Sequence, residues 1–163
     1  MRVVVLADTH LRPGRDKRLP DAAYDELARA DLILHAGDVV TRDLLDELGG
    51  FAPVRAVLGN NDIGLTGVVP EADAFDVDGV RVAMIHDSGP RAGRERRMKK
   101  RFPDAAVVVF GHSHIPWNDT GIDGQVLFNP GSAVDRRAQP HRTLGVLDLG
   151  DGRIRRRRIV ELD

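Results

Sequence analysis

Carboxylate, amide and imidazole side chains recur where apolar segments of this sequence end. The first such segment ends in Asp8-Thr9-His10, and Gly37-Asp38 follows the second. Later segments end in Gly59-Asn60-Asn61-Asp62, in His86 and in Gly111-His112-Ser113-His114. Oxygen and imidazole ligands together suit borderline divalent metals. Because four of the six histidines lie in these endings, the pattern predicts a metal centre.

Each ending also has an ordinary structural interpretation when it is taken alone. Asp8-Thr9-His10 fits a simple loop, and Gly37-Asp38 fits a turn. His112-Ser113-His114 is equally consistent with a single-metal site and with a solvated loop. Glycines allow tight turns and a close approach of the backbone to a bound anion, and they precede three of the endings, at 37, 59 and 111. Taken together, the five endings favour the metal centre.

The apolar segments in the first half of the chain predict parallel strands. Val3–Ala7, Leu32–His35 and Pro53–Leu58 alternate with helical stretches, an order that favours a β-α-β-α-β unit. The helical stretches are Asp21–Ala30 and the segment after Thr41, which is a good capping residue. Ligands of open α/β sheets collect at the carboxyl ends of the strands, where the polar endings lie.

The second half of the chain predicts further strands and one basic helix. Asp78-Gly79, between the strands Ala74–Val77 and Val80–Ile85, is a strong hairpin signal. A basic helix is expected at Arg91–Arg101. The remaining strands are expected at Ala105–Phe110, around the hairpin Gly121–Val126, at Thr143–Leu149 and at Arg153–Leu162.

These later strands are expected to form a second, mostly antiparallel sheet. Two sheets stacked face to face with helices outside give an α/β fold, a four-layer α-β-β-α sandwich of two mixed sheets. The chain has 163 residues and no linker or repeat, so a single domain over 1–163 is expected.

Composition excludes several kinds of chemistry. The chain has no cysteine, which excludes disulfides, thiolate metal sites and cysteine nucleophiles. A net charge of -1 gives no general reason to expect nucleic acid or a membrane as a stable partner. The apolar run at the N-terminus is too short for a signal peptide, so a cytoplasmic location is expected.

In their order and spacing, the five endings resemble the motifs of the calcineurin-like metallophosphoesterases. The short length and the segment Asn129-Pro130-Gly131-Ser132 resemble the small prokaryotic YfcE-type phosphodiesterase branch. The resemblance runs from Met1 to about Leu149 and implies the same four-layer fold. It implies seven metal ligands, Asp8, His10, Asp38, Asn60, His86, His112 and His114.

The resemblance also implies how the ligands are divided and what reaction follows. One ion would bind to Asp8, His10, Asp38 and His114, and the other to Asp38, Asn60, His86 and His112. Mn is the expected metal, with Fe, Zn, Ni or Mg as other occupants. Two such ions about 3.5–4 Å apart lower the pKa of a bridging water, and the hydroxide attacks a small phosphodiester. The candidate catalytic residues are Asp38, Asn60, Asn61 and Asp62.

The sequence departs from the family pattern at two positions. Many larger members carry a general-acid histidine where this chain has Asn61, which cannot donate a proton as an acid. We therefore expect activity toward diesters with good leaving groups and weak activity toward alkyl monoesters. The small branch usually reads His-Gly-His where this chain reads His86-Asp87-Ser88, so the ligand position is intact and the neighbouring histidine is missing. Asp87 is either an acceptor for a ligand imidazole or a turn residue, and the turn is favoured.

Several other residues allow two interpretations. Asn61, Arg136 and Arg137 are candidate substrate contacts by their position. His35 is expected to be packed rather than to bind a metal. The basic segment Arg94–Arg101 fits a solvated helix face, or a surface that attracts a phosphorylated substrate.

The main alternative function is a non-catalytic, metal-binding scaffold for protein interaction. The eukaryotic retromer subunit with this fold resembles such a case, and several of its ligand positions are altered. All seven positions are intact in this chain, which favours an enzyme. A homodimer is also expected from the family.

Overall fold

Ten strands and three α-helices lie within the part of the chain that the structure describes, residues 1–12, 14 and 17–163. The structure is a computed structural model. The helices are α1 (Asp21–Leu27), α2 (Arg42–Gly49) and α3 (Arg94–Arg101), with 3₁₀ turns at Ile63–Leu65 and Ile122–Gly124. The strands are β1 (Arg2–Leu6), β2 (Leu32–His35), β3 (Val54–Ala56), β4 (Ala72–Val77), β5 (Val80–Ile85), β6 (Val107–Val109), β7 (Trp117–Thr120), β8 (Val126–Asn129), β9 (Thr143–Gly150) and β10 (Arg153–Glu161).

The first sheet has the strand order β10-β9-β1-β2-β3. Strands β1, β2 and β3 are parallel, which confirms the prediction from the alternating pattern. The terminal hairpin β9-β10 also belongs to this sheet, with β9 antiparallel to β1. The expectation that this hairpin joins the second sheet was therefore wrong.

The burial of β9 explains its position. Leu147 and Leu149 on one face of β9 pack between the two sheets. Leu144 and Val146 on the other face pack under the helices. A strand that is apolar on both faces is suited to the interior of a covered sheet, and β9 lies between β1 and β10.

The second sheet has the strand order β4-β5-β6-β8-β7. The hairpin β4-β5 turns at Asp78-Gly79 as predicted, and β7-β8 is antiparallel as well. The pairs β5-β6 and β6-β8 are parallel, so the sheet is mixed and not mostly antiparallel. The reason is that α3 crosses between β5 and β6, which lets β6 enter the sheet in the direction of β5.

The two sheets face each other across an aliphatic core that includes Val5, Leu34, Val82 and Val109. A second cluster packs α1 and α2 against the outer face of the first sheet. A third packs Met98 of α3 against the outer face of the second. These layers confirm the four-layer α-β-β-α sandwich.

Some element boundaries differ from those expected. Helix α1 ends at Leu27 rather than Ala30, and α3 begins at Arg94 rather than Arg91. Thr41 precedes α2 but makes no side-chain cap, because its hydroxyl donates to the carbonyl of Leu11. Within the described ranges, no helix is both long enough and apolar enough to cross a membrane.

Candidate metal centre

The predicted ligands lie in loops that leave the carboxyl ends of the strands, as expected for this type of sheet. Five of them have a left-handed backbone, with φ of 53° at Asp8, 48° at His10, 58° at Asp38, 71° at His112 and 61° at His114. Residues other than glycine rarely adopt this conformation, and each instance costs about 1–3 kcal/mol. The left-handed residues turn the chain sharply out of each strand, and the fold must stabilise them.

Hydrogen bonds between the loops supply part of that stabilisation. The backbone N–H of Asp8 donates to the carbonyl of Gly37 at 2.9 Å, and the N–H of His10 donates to the carbonyl of Asp38 at 3.0 Å. The N–H of His112 donates to Asp8 Oδ2 at 2.9 Å. The loops after β1, β2 and β6 are thereby tied to one another.

Five side chains form a compact cluster with ligand atoms close enough for a cation. Asp8, His10 and His114 form one group, and Asp8, Asp38 and His86 form the other. Asp38 Oδ2 lies 3.3 Å from His10 Nε2 and 3.4 Å from His86 Nε2. Asp8 Oδ1 lies 3.7 Å from His114 Nε2 and 3.8 Å from His86 Nε2. Both carboxylates thus face more than one imidazole.

The imidazoles present the nitrogen that a metal would need. Nδ1 of His86 donates to the carbonyl of Ala36 at 2.7 Å, and Nδ1 of His114 donates to the carbonyl of Asp135 at 2.5 Å. A carbonyl only accepts, so these bonds fix the proton on Nδ1 and direct Nε2 into the cluster.

Four buried polar atoms in this cluster have no hydrogen-bond partner among the described residues. They are Asp8 Oδ1, His10 Nε2, His86 Nε2 and His114 Nε2. Buried polar atoms are almost always paired, because an unpaired one is costly. Three imidazole nitrogens and a carboxylate oxygen that meet in this way match the donor set of a borderline divalent cation.

Burial and the charges of neighbouring side chains shift the pKa values within the cluster. Burial raises the pKa of Asp8 from its usual 3.8 to about 7, although His86 partly offsets the shift. Burial lowers the pKa of His86, but the carboxylates of Asp38 and Asp8 outweigh burial and the net pKa is raised. Burial alone would raise the pKa of Asp38, yet His86 and hydrogen bonds from Asn61 leave it well below its usual value.

Asp62 has a different position from the ligands. Its buried carboxylate accepts hydrogen bonds from the backbone N–H groups of Asp38 at 2.8 Å, Val40 at 2.7 Å and Gly59 at 2.8 Å. These contacts position the loop that carries Asp38. The expected catalytic role of Asp62 stays a prediction.

Gly37 and Gly59 make room for the side chains of predicted ligands. A side chain at Gly59 would collide with the carboxylate and backbone nitrogen of Asp38. A side chain at Gly37, which has φ +98°, would collide with the ring of His86.

Asn60 and His112 lie at the same edge but are more open. Asn60 is exposed, and His112 is half-buried. The ring of His112 packs edge-on against that of His86, with 5.2 Å between centroids. Neither residue is part of the compact cluster, so their assignment as ligands stays a prediction.

Among the predicted substrate contacts, Asn61 and Arg137 line a cleft beside His10. The backbone N–H and Nδ2 of Asn61 donate to the Asp38 carboxylate at 2.9 and 3.0 Å. Arg136 does not line this cleft, and its guanidinium donates to the carbonyl of Gln139. Arg12 and Lys17 also line it, and sequence reasoning missed both.

The segment Asn129–Ser132 forms hydrogen bonds with the loops that carry the predicted ligands. Asn129 Nδ2 donates to the carbonyl of Gly111 at 3.0 Å, and Ser132 Oγ donates to the carbonyl of Asp8 at 2.7 Å. The hydroxyl also accepts the backbone N–H of Asp135 at 2.9 Å. The segment therefore orders the loops that carry the ligands.

His35 and Asp87 take the structural positions that were favoured for them. His35 is buried in full, where its Nδ1 accepts the N–H of Gly37 and its Nε2 donates to Thr9 Oγ1 at 3.0 Å. Asp87 Oδ1 accepts the N–H of Gly89 at 2.8 Å, which confirms the turn. Its other oxygen is 3.9 Å from His112 Nε2, too far for a hydrogen bond.

Solved structures of other proteins share this fold. A Vps29 of Entamoeba histolytica, complexed with zinc, has a TM-score of 0.76 at 21% identity, with both chains covered in full. A protein described as a novel archaeal phosphodiesterase has a TM-score of 0.74 at 18% identity, over 99% of this chain and all of that one. At these identities the likeness establishes the fold alone.

Sequence comparison establishes the family. A protein of Methanothermobacter thermautotrophicus named as a probable metallophosphoesterase is 35% identical over 143 residues, which cover 86% of this chain and 82% of the relative. The model of the calcineurin-like phosphoesterase superfamily domain matches residues 1–152. The chain belongs to the calcineurin-like phosphoesterase superfamily.

Proposed function

We propose that this chain is a metal-dependent phosphodiesterase with two divalent ions, most favourably Mn, at the candidate metal centre. The observation that carries the proposal is the convergence of the unpaired, buried ligand atoms of Asp8, His10, His86 and His114. The likeness to a probable metallophosphoesterase supports it. When bound, two ions would supply a nucleophilic hydroxide from water and neutralise charge on the phosphate.

The proposed division of ligands gives Asp38 the shared position. Asp8, His10, Asp38 and His114 would bind one ion, and Asp38, Asn60, His86 and His112 the other. Asp38 Oδ2 lies 3.3 Å from His10 Nε2 and 3.4 Å from His86 Nε2, whereas Asp8 Oδ1 lies 3.9 and 3.8 Å from the same atoms, which supports this assignment. The low pKa of Asp38 keeps its carboxylate ionised, as a bridging ligand must be.

Asn61 helps to position these groups and provides no acid for the leaving group. Asn61 orients the Asp38 carboxylate through two hydrogen bonds, and an amide cannot donate a proton as an acid. A phenolate or similar group leaves without protonation, whereas an alkoxide does not. The proposed substrates are therefore diesters with good leaving groups, and alkyl monoesters are poor substrates.

Hydrolysis of bis(4-nitrophenyl) phosphate by metal-stripped protein, with and without Mn, tests the proposal. Mn should restore activity in wild type, and Asp38→Asn should abolish it. His141→Ala is the matched control, because His141 faces Glu161 at 3.7 Å instead of the cluster. Equal turnover of an alkyl monophosphate and the activated diester would contradict the expected specificity.

A protein-interaction scaffold is the second candidate function. The fold is shared with Vps29, and Ile63, which follows Asp62, is 84% exposed beside the site. Such a scaffold would use the metal to order its surface and would have no turnover. Failure of every divalent metal to give hydrolysis by correctly folded protein would favour this alternative.

A further inference from the structure

A cleft of about 340 Å³ adjoins the metal centre on the side of His10. His10 and Asn61 form the wall that it shares with the metal centre, since His10 is in the cluster and Asn61 donates to Asp38. The loop between β1 and α1 contributes Arg12 and Lys17. The loop after Ser132 contributes Asp135 and Arg137, along with Val134.

The cleft carries an excess of positive charge. Among the described residues that line the cleft, the exposed cations Arg12, Lys17 and Arg137 outnumber the one carboxylate, that of Asp135. That carboxylate accepts the backbone N–H of Arg137 at 3.3 Å. None of the three cations forms an ion pair with any residue in the described ranges.

Arg18 follows Lys17 in the sequence but contacts local partners and does not line the cleft. Its guanidinium donates to Asp21 at 2.8 Å and lies over the ring of Tyr24, away from the cleft. Arg18 therefore has local partners, whereas Lys17, one residue earlier, lines the cleft.

We propose that this cleft is a subsite for a second phosphate group of the substrate, next to the phosphodiester that the metal centre cleaves. The proposal rests on the proposed function. Two divalent ions already balance the charge of one phosphate, so three further cations beside them suit another anion. Arginine binds phosphate in a bidentate manner and lysine binds it as a point charge.

The subsite selects a substrate class. A simple diester places a single charge at the metals and offers no phosphate to Arg12, Lys17 and Arg137 in the cleft. A nucleoside diester with a further phosphate on the same sugar presents the diester to the metal centre and the second phosphate to the cleft. A nucleoside 3′,5′-bisphosphate places two phosphates at this spacing and serves as the binding probe. The same chemistry is present in a small bisphosphorylated metabolite and at the end of a nucleic-acid strand.

The test compares the binding of thymidine 3′,5′-bisphosphate and thymidine 5′-monophosphate by calorimetry, with Mn-loaded and with metal-free protein. Wild type should bind the bisphosphate at least about tenfold more tightly. Arg12→Gln, Lys17→Gln and Arg137→Gln should each reduce this preference about three- to tenfold, since the side chains are partly solvated. Arg18→Gln removes the same charge and should leave the preference unchanged.

Equal binding of the two ligands by wild type that has bound Mn, or a preference that none of the three cleft variants reduces, would overturn the subsite. Its failure is distinguishable from failure of the proposed function. If the metal proposal fails, Mn has no effect on either ligand, while both ligands still bind to the cleft of metal-free protein with an affinity that the three cleft variants reduce.

A second arm of the experiment identifies the source of the second phosphate. A short oligothymidylate that binds more tightly than the bisphosphate, and loses affinity in the cleft variants, supports the subsite and assigns it to a nucleic-acid end. Weaker binding of the oligothymidylate than of the bisphosphate supports the subsite and assigns it to a small molecule.

Discussion

The carboxylate of Asp62 accepts a 2.8 Å hydrogen bond from the backbone N–H of Asp38. Asp38 has a left-handed backbone with φ of 58°, and its own carboxylate lies between two imidazoles. The position of this shared carboxylate therefore depends on a second acidic residue that is itself buried and directed at the backbone. Asp62 acts as a positioning residue for Asp38.

Replacement of Asp62 by Asn should destabilise the protein and displace Asp38. An amide has one oxygen for three backbone donors and directs an NH₂ group at one of them. The loss of charged hydrogen bonds and the unpaired donor should lower the free energy of unfolding by about 2–3 kcal/mol. Urea denaturation measures this change, and Mn affinity should fall as well.

The matched control for Asp62→Asn is Asp76→Asn. Asp76 is exposed on β4 and pairs with Arg81 at 3.4 Å across the hairpin. An exposed pair of this kind contributes little, so a change within about 0.5 kcal/mol is expected. Equal destabilisation by the two variants would show that Asp62 has no special role.

Metal binding should release protons at mildly acidic pH. Asp8 has a pKa of about 7 in the metal-free protein, above its unfolded value of 3.8. Between these values the folded chain retains a proton that the unfolded chain has lost, so the metal-free protein loses stability as pH rises toward about 7. A cation requires ionised Asp8 and must displace that proton.

Calorimetry in two buffers of different ionisation enthalpy measures the release. At pH 6 wild type should release more protons per bound Mn than at pH 8. Asp8→Asn should show a smaller difference between the two pH values. The absence of any pH dependence in wild type would mean that Asp8 is already ionised without metal.

His35 should make the metal-free protein sensitive to acid. Burial lowers the pKa of His35 from 6.5 to about 4. As pH falls below the unfolded value, the unfolded chain binds a proton that the folded chain excludes, so the free energy of unfolding decreases. Between pH 7 and pH 5 this loss should reach about 2 kcal/mol.

Urea denaturation of wild type and His35→Gln at both pH values isolates this contribution. Glutamine retains a donor and an acceptor for Thr9 and Gly37 but does not titrate in this range. The decrease in the free energy of unfolding between pH 7 and pH 5 should be about 2 kcal/mol smaller in the variant. An identical loss in both proteins would assign the acid sensitivity to other groups.

Addition of a methyl group at Gly59 should displace the Asp38 carboxylate. A Cβ at this position would collide with the side chain and the backbone nitrogen of Asp38. Overpacking of this kind costs about 1–3 kcal/mol, and Mn affinity should fall with it. The control is Gly64→Ala, where a Cβ meets no atom within 4 Å. Normal Mn binding by Gly59→Ala would show that the loop adapts without loss.

The sequence predicted the strands and the edge where they end more reliably than their assignment to a sheet. Alternation of strands and helices predicted the parallel order β1-β2-β3, and Asp78-Gly79 predicted the hairpin β4-β5. Hairpin signals say which strands pair with each other, but not which sheet the pair joins. The hairpin β9-β10 was misplaced for this reason.

The sequence likewise predicted only part of the candidate site. Side-chain type and position after a strand were enough to identify Asp8, Asp38 and His86 as neighbours. Arg12 and Lys17 carried no signal, because charged loop residues are usually solvated and their neighbours depend on how the chain folds back. The three backbone donors on Asp62 could not be predicted from sequence, since local patterns do not identify contacts with a distant loop.

The most direct test of the two-ion proposal is the number of Mn ions that each chain binds. Equilibrium dialysis of metal-stripped protein against Mn should give two ions per chain, and Asp38→Asn should lose most of this binding because both sites share that carboxylate. His141→Ala should bind as wild type does. Binding of one ion or none by folded wild type would contradict the proposed two-ion centre.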